Sequence, residues 1–106
     1  MTKNSEIIRI QRPDDLVTYG IACVTYEEQD IVILSHGDGY RAIERWCPHE
    51  DGDLGEGLMF GEHVKCPIHG YIFELDKGQC LNQLNMRVQI YEVEVDSEEL
   101  VLRKID

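Results

Sequence analysis

The sequence is short of positive charge and has no long apolar run. Only 10 lysines and arginines stand against 21 aspartates and glutamates, a formal net charge of −11. An excess of this sign repels phosphate backbones and anionic lipid headgroups, which excludes nucleic acid and a membrane surface as expected partners and favours a partner with a basic face. No segment approaches the roughly 18 apolar residues that a membrane-spanning helix needs. The opening stretch, Met1 to Ile10, carries neither the apolar core nor the small-residue cleavage site of a secretory signal, so the expected location is a reducing cytoplasm. There, four cysteines (Cys23, Cys47, Cys66 and Cys80) point to metal or thiols before disulfides. Prolines number only three, and two of them stand directly after a cysteine.

Also lacking are a sustained helical period, an internal repeat and a low-complexity tract. The one helical signal is a turn at Arg12 to Leu16, with Pro13 early in it. The rest reads as short strands broken by turns. Ile31 to Leu34 and Tyr40 to Trp46 form a hairpin, with Gly37 and Gly39 free to take positive φ. Leu58 to Phe60 and His63 to Lys65 form a second, joined by Gly61-Glu62, where glycine suits the first central position of a type II′ turn. A further turn falls at Asp76 to Gly78. Val88 and Ile90 lie on one face and Tyr91, Val93 and Val95 on the other, a change of phase that suggests a bulge. After a turn at Asp96 to Glu99, Leu100 to Ile105 makes the last strand.

With 106 residues, 42% hydrophobic and 29% charged, the chain has the size and composition of one ordered domain, residues 1–106. The expected fold class is all-β, an antiparallel sandwich or barrel. Residues 46–80 differ in composition, with six of the nine glycines and three of the four cysteines. They read as a small loop-rich subdomain inserted between flanking strands, and a long irregular stretch in so small a domain is usually functional.

Two segments in that stretch carry the chemistry. They are Cys47-Pro48-His49 and Cys66-Pro67-Ile68-His69, with sixteen residues between His49 and Cys66. Each offers one thiolate and one imidazole, and each proline stiffens its loop and removes a competing N–H. Soft thiolates with imidazoles suit zinc or an iron–sulfur cluster. Structural zinc knuckles usually take a cysteine pair at C-x₂₋₄-C, which neither segment supplies. A [2Fe-2S] cluster with two cysteines on one iron and two histidines on the other is the alternative.

The C-x-H and C-x-x-H pair, with its spacer, closely resembles the Rieske family. The resemblance continues through His69-Gly70, Phe73, the turn at Gly78 and the closing strands around Tyr91 to Val95 and Leu100 to Leu102. It implies one [2Fe-2S] cluster held by Cys47 and Cys66 on the first iron and by His49 and His69 on the second, with the histidines toward solvent. It also implies a Rieske-like β-sandwich or barrel with a cluster-binding subdomain over about 46–80. Two deprotonated thiolates cancel the 2+ core, so the chain's charge stays at −11 when the cluster is oxidised and falls to about −12 on reduction.

High-potential members of the family join the two ligand loops by a disulfide, at positions that here are Gly52 and Ile68. They also set serine and tyrosine hydroxyls against the cluster, at positions that here are Tyr71 and Phe73. With fewer hydrogen bonds to the sulfurs, the resemblance implies a potential toward the low end of the family's span of about −150 to +300 mV. The acidic run Glu50, Asp51, Asp53 and Glu56, with no lysine or arginine among them, pushes the same way or serves docking.

Low potential and small size resemble the ferredoxins of ring-hydroxylating dioxygenase systems. Such ferredoxins are electron carriers and not enzymes: they pass single electrons from a flavin-dependent reductase to a terminal oxygenase. The expectation is a monomeric shuttle of that kind, with the small Rieske subunit of an assimilatory nitrite reductase as the alternative within redox chemistry and a zinc-stabilised binding module outside it. A terminal oxygenase also needs a mononuclear iron on two histidines and a carboxylate. His36 and His63, the only histidines left, read as surface residues at turns. Cys23 and Cys80 read as core or half-buried thiols, Trp46 as packing beside the first ligand, and Glu92, Glu94, Asp96, Glu98 and Glu99 as water-facing.

Overall fold

The computed structural model describes residues 7–48, 52–68, 70–83 and 85–105. Within them run nine strands: β1 (Ile7–Gln11), β2 (Ile21–Tyr26), β3 (Gln29–His36), β4 (Gly39–Glu44), β5 (Leu58–Phe60), β6 (His63–Lys65), β7 (Ile72–Glu74), β8 (Ile90–Asp96) and β9 (Glu99–Ile105). A short helix, α1 (Asp14–Tyr19), and a single 3₁₀ turn at Leu54–Glu56 complete the elements. The all-β expectation holds.

Six strands form one antiparallel sheet in the order β1-β9-β8-β4-β3-β2, and β5-β6-β7 form a second, three-stranded one. The apolar run Ile31 to Leu34 explains how they stack. All four residues are buried, so β3 is covered on both faces, as a continuous apolar strand requires. Ile31 and Ile33 enter one core with Ile8, Leu16 of α1, Tyr91, Leu100 and Leu102. Val32 and Leu34 enter another with Ile43, Phe73, Leu75, Ile90 and three cysteines, Cys47, Cys66 and Cys80. This second core lies between the large sheet and the small one, and it carries the site.

The same arrangement corrects the expected bulge. Ile90 belongs to one core and Tyr91 to the other, while β8 pairs with β9 in unbroken register from Ile90↔Ile105 to Asp96↔Glu99. The phase change arises because the strand is covered on both faces at its start, and no extra residue is inserted. In the β3–β4 turn only Gly37 has positive φ (60°), since Gly39 is already paired with His36 in the ladder. Gly61 (φ 57°) and Gly78 (φ 80°) turn the chain where expected. At Gly78 a β-carbon would lie 2.1 Å from the carbonyl oxygen of Val88, so the close approach of two backbones also demands glycine there. Pro13 caps α1 in extended conformation and Gly20 ends it at φ 77°.

Candidate metal centre

The chain leaves β4 and makes its first loop between Cys47 and Gly52, closed by a hydrogen bond from Cys47 N–H to the Gly52 carbonyl at 2.8 Å. The neck is clamped from below. Leu54 N–H donates to the Arg45 carbonyl at 2.7 Å, and Trp46 bridges to Asp53 across the loop. The Arg45 guanidinium meets both oxygens of Asp53 at 3.0 Å, and Asp53 Oδ1 accepts the Gly55 N–H at 2.8 Å. The arginine, with the Gly55 N–H adding to it, holds the Asp53 carboxyl below its ordinary range. The acidic loop is therefore less negative than its sequence suggests, because Arg45, upstream of the run, neutralises Asp53. Glu50 and Asp51 lie outside the described residues, and Glu56 is exposed.

The second loop repeats the first. It follows β6 and closes with Cys66 N–H donating to the Tyr71 carbonyl, again five residues on and again at 2.8 Å. Inside it, Gly70 N–H donates to the Cys66 carbonyl at 3.1 Å with Gly70 at φ 75°, a conformation that disfavours any side chain. His49 and His69, the imidazole ligands expected from the sequence, lie outside the described residues. Cys47 and Cys66 stand at equivalent positions at the two necks, both fully buried.

The loops meet at Gly52. A β-carbon there would lie 2.6 Å from Cys66 Sγ and 2.6 Å from Ile68 Cγ1, so the first loop's backbone rests against the second loop's sulfur. Only a residue without a side chain leaves that space beside the sulfur. Around it Pro48, Pro67 and Ile68 are exposed, giving the tip an apolar surface. Phe73 is fully buried beneath, and Tyr71 packs half-buried against the same core.

Two soft sulfur donors, buried at equivalent necks of paired loops, fit an iron–sulfur cluster with thiolates on one iron. A buried thiolate without such a partner is costly, and metal ligation removes that cost.

Other expected site neighbours fall differently. Cys80 is buried in the core, as expected, while Cys23 is an exposed residue on β2, an edge strand of the large sheet. The Cys23 residue is not core, although partial burial still pushes its thiol up, opposed by Arg45. Trp46 is 40% exposed, and its indole N–H donates to Asp30 at 2.9 Å with the Arg45 guanidinium 4.8 Å from the ring centre. His36 and His63 are not plain surface residues. The His36 side chain is 17% exposed, with Nε2 3.8 Å from Asp76 and 3.9 Å from Glu62, and it joins the β3–β4 hairpin to the turns of the small sheet. His63 stacks on Phe60 with ring centres 5.7 Å apart. Sequence reasoning missed Asn82, whose side chain bonds to the second loop, because nothing in the local pattern of Leu81 to Asn85 marks it.

Comparison with known proteins gives the family. Residues 6–99 match the family described as Rieske [2Fe-2S] domain, and the chain belongs to that family, whose cofactor is one Rieske-type [2Fe-2S] cluster. It is 24% identical over 98 residues to the ferredoxin component of the alkene monooxygenase system of Xanthobacter autotrophicus, covering 92% of this chain and 80% of that one. It is 35% identical over 69 residues to the oxygenase component of chloroacetanilide N-alkylformylase from Rhizorhabdus wittichii, covering 64% of this chain and 20% of that one. The chain thus matches about a fifth of that oxygenase's length.

Among solved structures, the ferredoxin of carbazole 1,9a-dioxygenase from Nocardioides aromaticivorans superposes with a TM-score of 0.75 at 24% identity, covering 93% of this chain and 98% of that one. A Mycobacterium tuberculosis chain assigned as the small subunit of an NADH-dependent nitrite reductase superposes at 0.76 and 18% identity, covering 95% and 96%. At such identities the likeness establishes the fold. No helix among the described residues is long and apolar enough to cross a membrane.

Proposed function

We propose that the chain is a Rieske ferredoxin, a single-electron carrier that takes electrons from a flavin-dependent reductase and hands them to a terminal oxygenase. The observation that carries this reading is the pairing of two identically closed loops, each with a buried cysteine at its neck and an apolar, exposed tip. In this reading Cys47 and Cys66 hold one iron and His49 and His69 the other, within a cluster-binding subdomain of about residues 46–80. The cluster supplies one-electron chemistry. The chain contributes the burial of both sulfurs, the closed loops that limit reorganisation, and a tip shaped to approach a partner. The resemblance to the alkene monooxygenase ferredoxin component, which the chain covers over most of both lengths, supports a separate carrier. The acidic surface favours partners with basic faces and weak, salt-sensitive complexes of a monomer.

Phe73, buried and without a hydroxyl where high-potential relatives carry a tyrosine, supports a low midpoint potential. The subunit reading shares the same fold, as the nitrite reductase small-subunit neighbour indicates. One experiment separates the readings. The protein is purified from its native host, analysed for iron and acid-labile sulfide, and tested for electron transfer from a flavin-dependent reductase to a terminal oxygenase of the same host. A Rieske-type EPR signal on reduction with turnover of that oxygenase is expected. Stable co-purification with a large reductase favours the subunit, and zinc without sulfide overturns both.

A further inference from the structure

The segment that follows β7 folds back over the second ligand loop, and a single side chain fastens it there. Cys80 pairs across to Phe73, and Leu81 N–H donates to the Ile72 carbonyl at 2.7 Å, which brings Asn82 alongside the loop. Asn82 Oδ1 accepts the Ile72 N–H at 3.0 Å and the Cys80 thiol at 3.3 Å. Its Nδ2 donates to the Gly70 carbonyl at 3.1 Å. A side-chain amide has both an acceptor and donors, and this one uses both ends.

Asn82 is nonetheless an exposed residue, so these bonds do not satisfy the needs of a core. They close a bracket. Gly70, directly after position 69, has its N–H held by the Cys66 carbonyl and its own carbonyl held by Asn82. Both polar backbone groups of the residue next to the expected imidazole ligand are therefore fixed, one from inside the loop and one from outside. On the other loop, Gln83, Asn85 and Met86 of the same segment line a cleft with Pro48, so together with Asn82 they reach both ligand loops.

We propose that Asn82 is a positioning residue for the metal centre, acting through Gly70 to hold the second ligand loop. The assignment rests on the reading of His69 as a ligand, since a loop that carries no ligand needs no such bracket. The donor end matters most, because it is the end of Asn82 that reaches the ligand loop. Asn82→Asp keeps the acceptor for Ile72 and Cys80 and removes the donor to Gly70. Gln83→Asp adds the same charge one residue on while leaving every Asn82 hydrogen bond in place and serves as the charge control.

The test uses the full-length holoprotein and two readouts, the EPR g-values of the reduced protein and the rate of iron loss to a chelator. A lost hydrogen bond of ordinary strength corresponds to a rate increase of up to about tenfold. Asn82→Asp is expected to shift the g-values and speed iron loss by that order, well beyond any change in Gln83→Asp. Asn82→Asp indistinguishable from Gln83→Asp overturns the assignment. His69→Ala tests the underlying reading independently. Loss of the Rieske EPR signal in that variant supports His69 as a ligand, and its retention overturns the ligand reading whatever Asn82 does.

Discussion

A β-carbon added to Gly52 would lie 3.5 Å from Cβ of Ile68. That separation falls within the range of about 3.5 to 4.5 Å found between the β-carbons of disulfide-bonded cysteines. The two positions at which high-potential relatives tie their loops are therefore juxtaposed here, with glycine and isoleucine in place of the bridge. The double variant Gly52→Cys, Ile68→Cys should form the cross-loop disulfide in air, seen as one linked peptide in non-reducing mass spectrometry. Replacing Ile68 removes its Cγ1 from the contact, leaving only the Cys66 sulfur to turn aside. Gly52→Ala alone keeps both close contacts and should lower iron content per chain. No linked peptide in the oxidised double variant would falsify the geometry.

The clamp between Arg45 and Asp53 makes the neck of the first loop sensitive to acid. Because Asp53 is held below its ordinary range in the folded protein, its contribution is present above the unfolded value of about 3.9 and is lost as pH falls through the folded one. Asp53→Asn should therefore show a shallower loss of stability below pH ~4 than the wild type. Asp53→Ala, which removes two charge-assisted bonds and the Gly55 contact, should cost about 2 kcal/mol near neutrality. Denaturant titrations across pH check both, and parallel pH profiles for wild type and Asp53→Asn would count against the clamp.

Thiol reactivity should separate the four cysteines. In the native holoprotein Cys23 is the exposed one, and Cys80 is buried. Burial of part of the Cys23 side chain raises its thiol, which leaves less thiolate at a given pH and slows alkylation. Iodoacetamide at pH ~8 should label Cys23 alone, more slowly than a free cysteine, with all four labelled after unfolding and iron removal. Labelling of Cys80 at the rate of Cys23 would contradict the packing described.

Phe73 is the largest fully buried side chain in the core that carries the cysteines. Phe73→Ala should destabilise the protein by about 3 to 5 kcal/mol, from lost apolar burial and the cavity left behind. Urea unfolding of the holoprotein measures it. A loss below about 1 kcal/mol would mean that the small sheet does not depend on this contact.

The sequence by itself determined β3 to β6, β8 and β9, several of the turns and the pattern of cysteines and histidines, while β1, β2 and β7 were not marked in it. Alternating apolar residues and glycines are local signals, and a ligand pattern is a spacing along the chain. The β5–β6 hairpin, the Gly78 turn and the last strand are where those signals place them, and Cys47 and Cys66 do come to equivalent places. The tertiary structure decided what local pattern cannot express. Ile90 and Tyr91 are both buried because two cores lie on opposite faces of one sheet, so a phase change that reads as a bulge is a strand covered twice. Asp53 reads as part of an acidic run until the fold brings Arg45 against it. Gly52 reads as one glycine among nine until the Cys66 sulfur stands where its side chain would be. Asn82 is an ordinary loop residue in sequence, and only the pairing of Cys80 and Leu81 back onto β7 sets its amide against Gly70. In each case the deciding contact joins segments distant in the chain or on opposite sides of a sheet, and such contacts depend on how the elements pack.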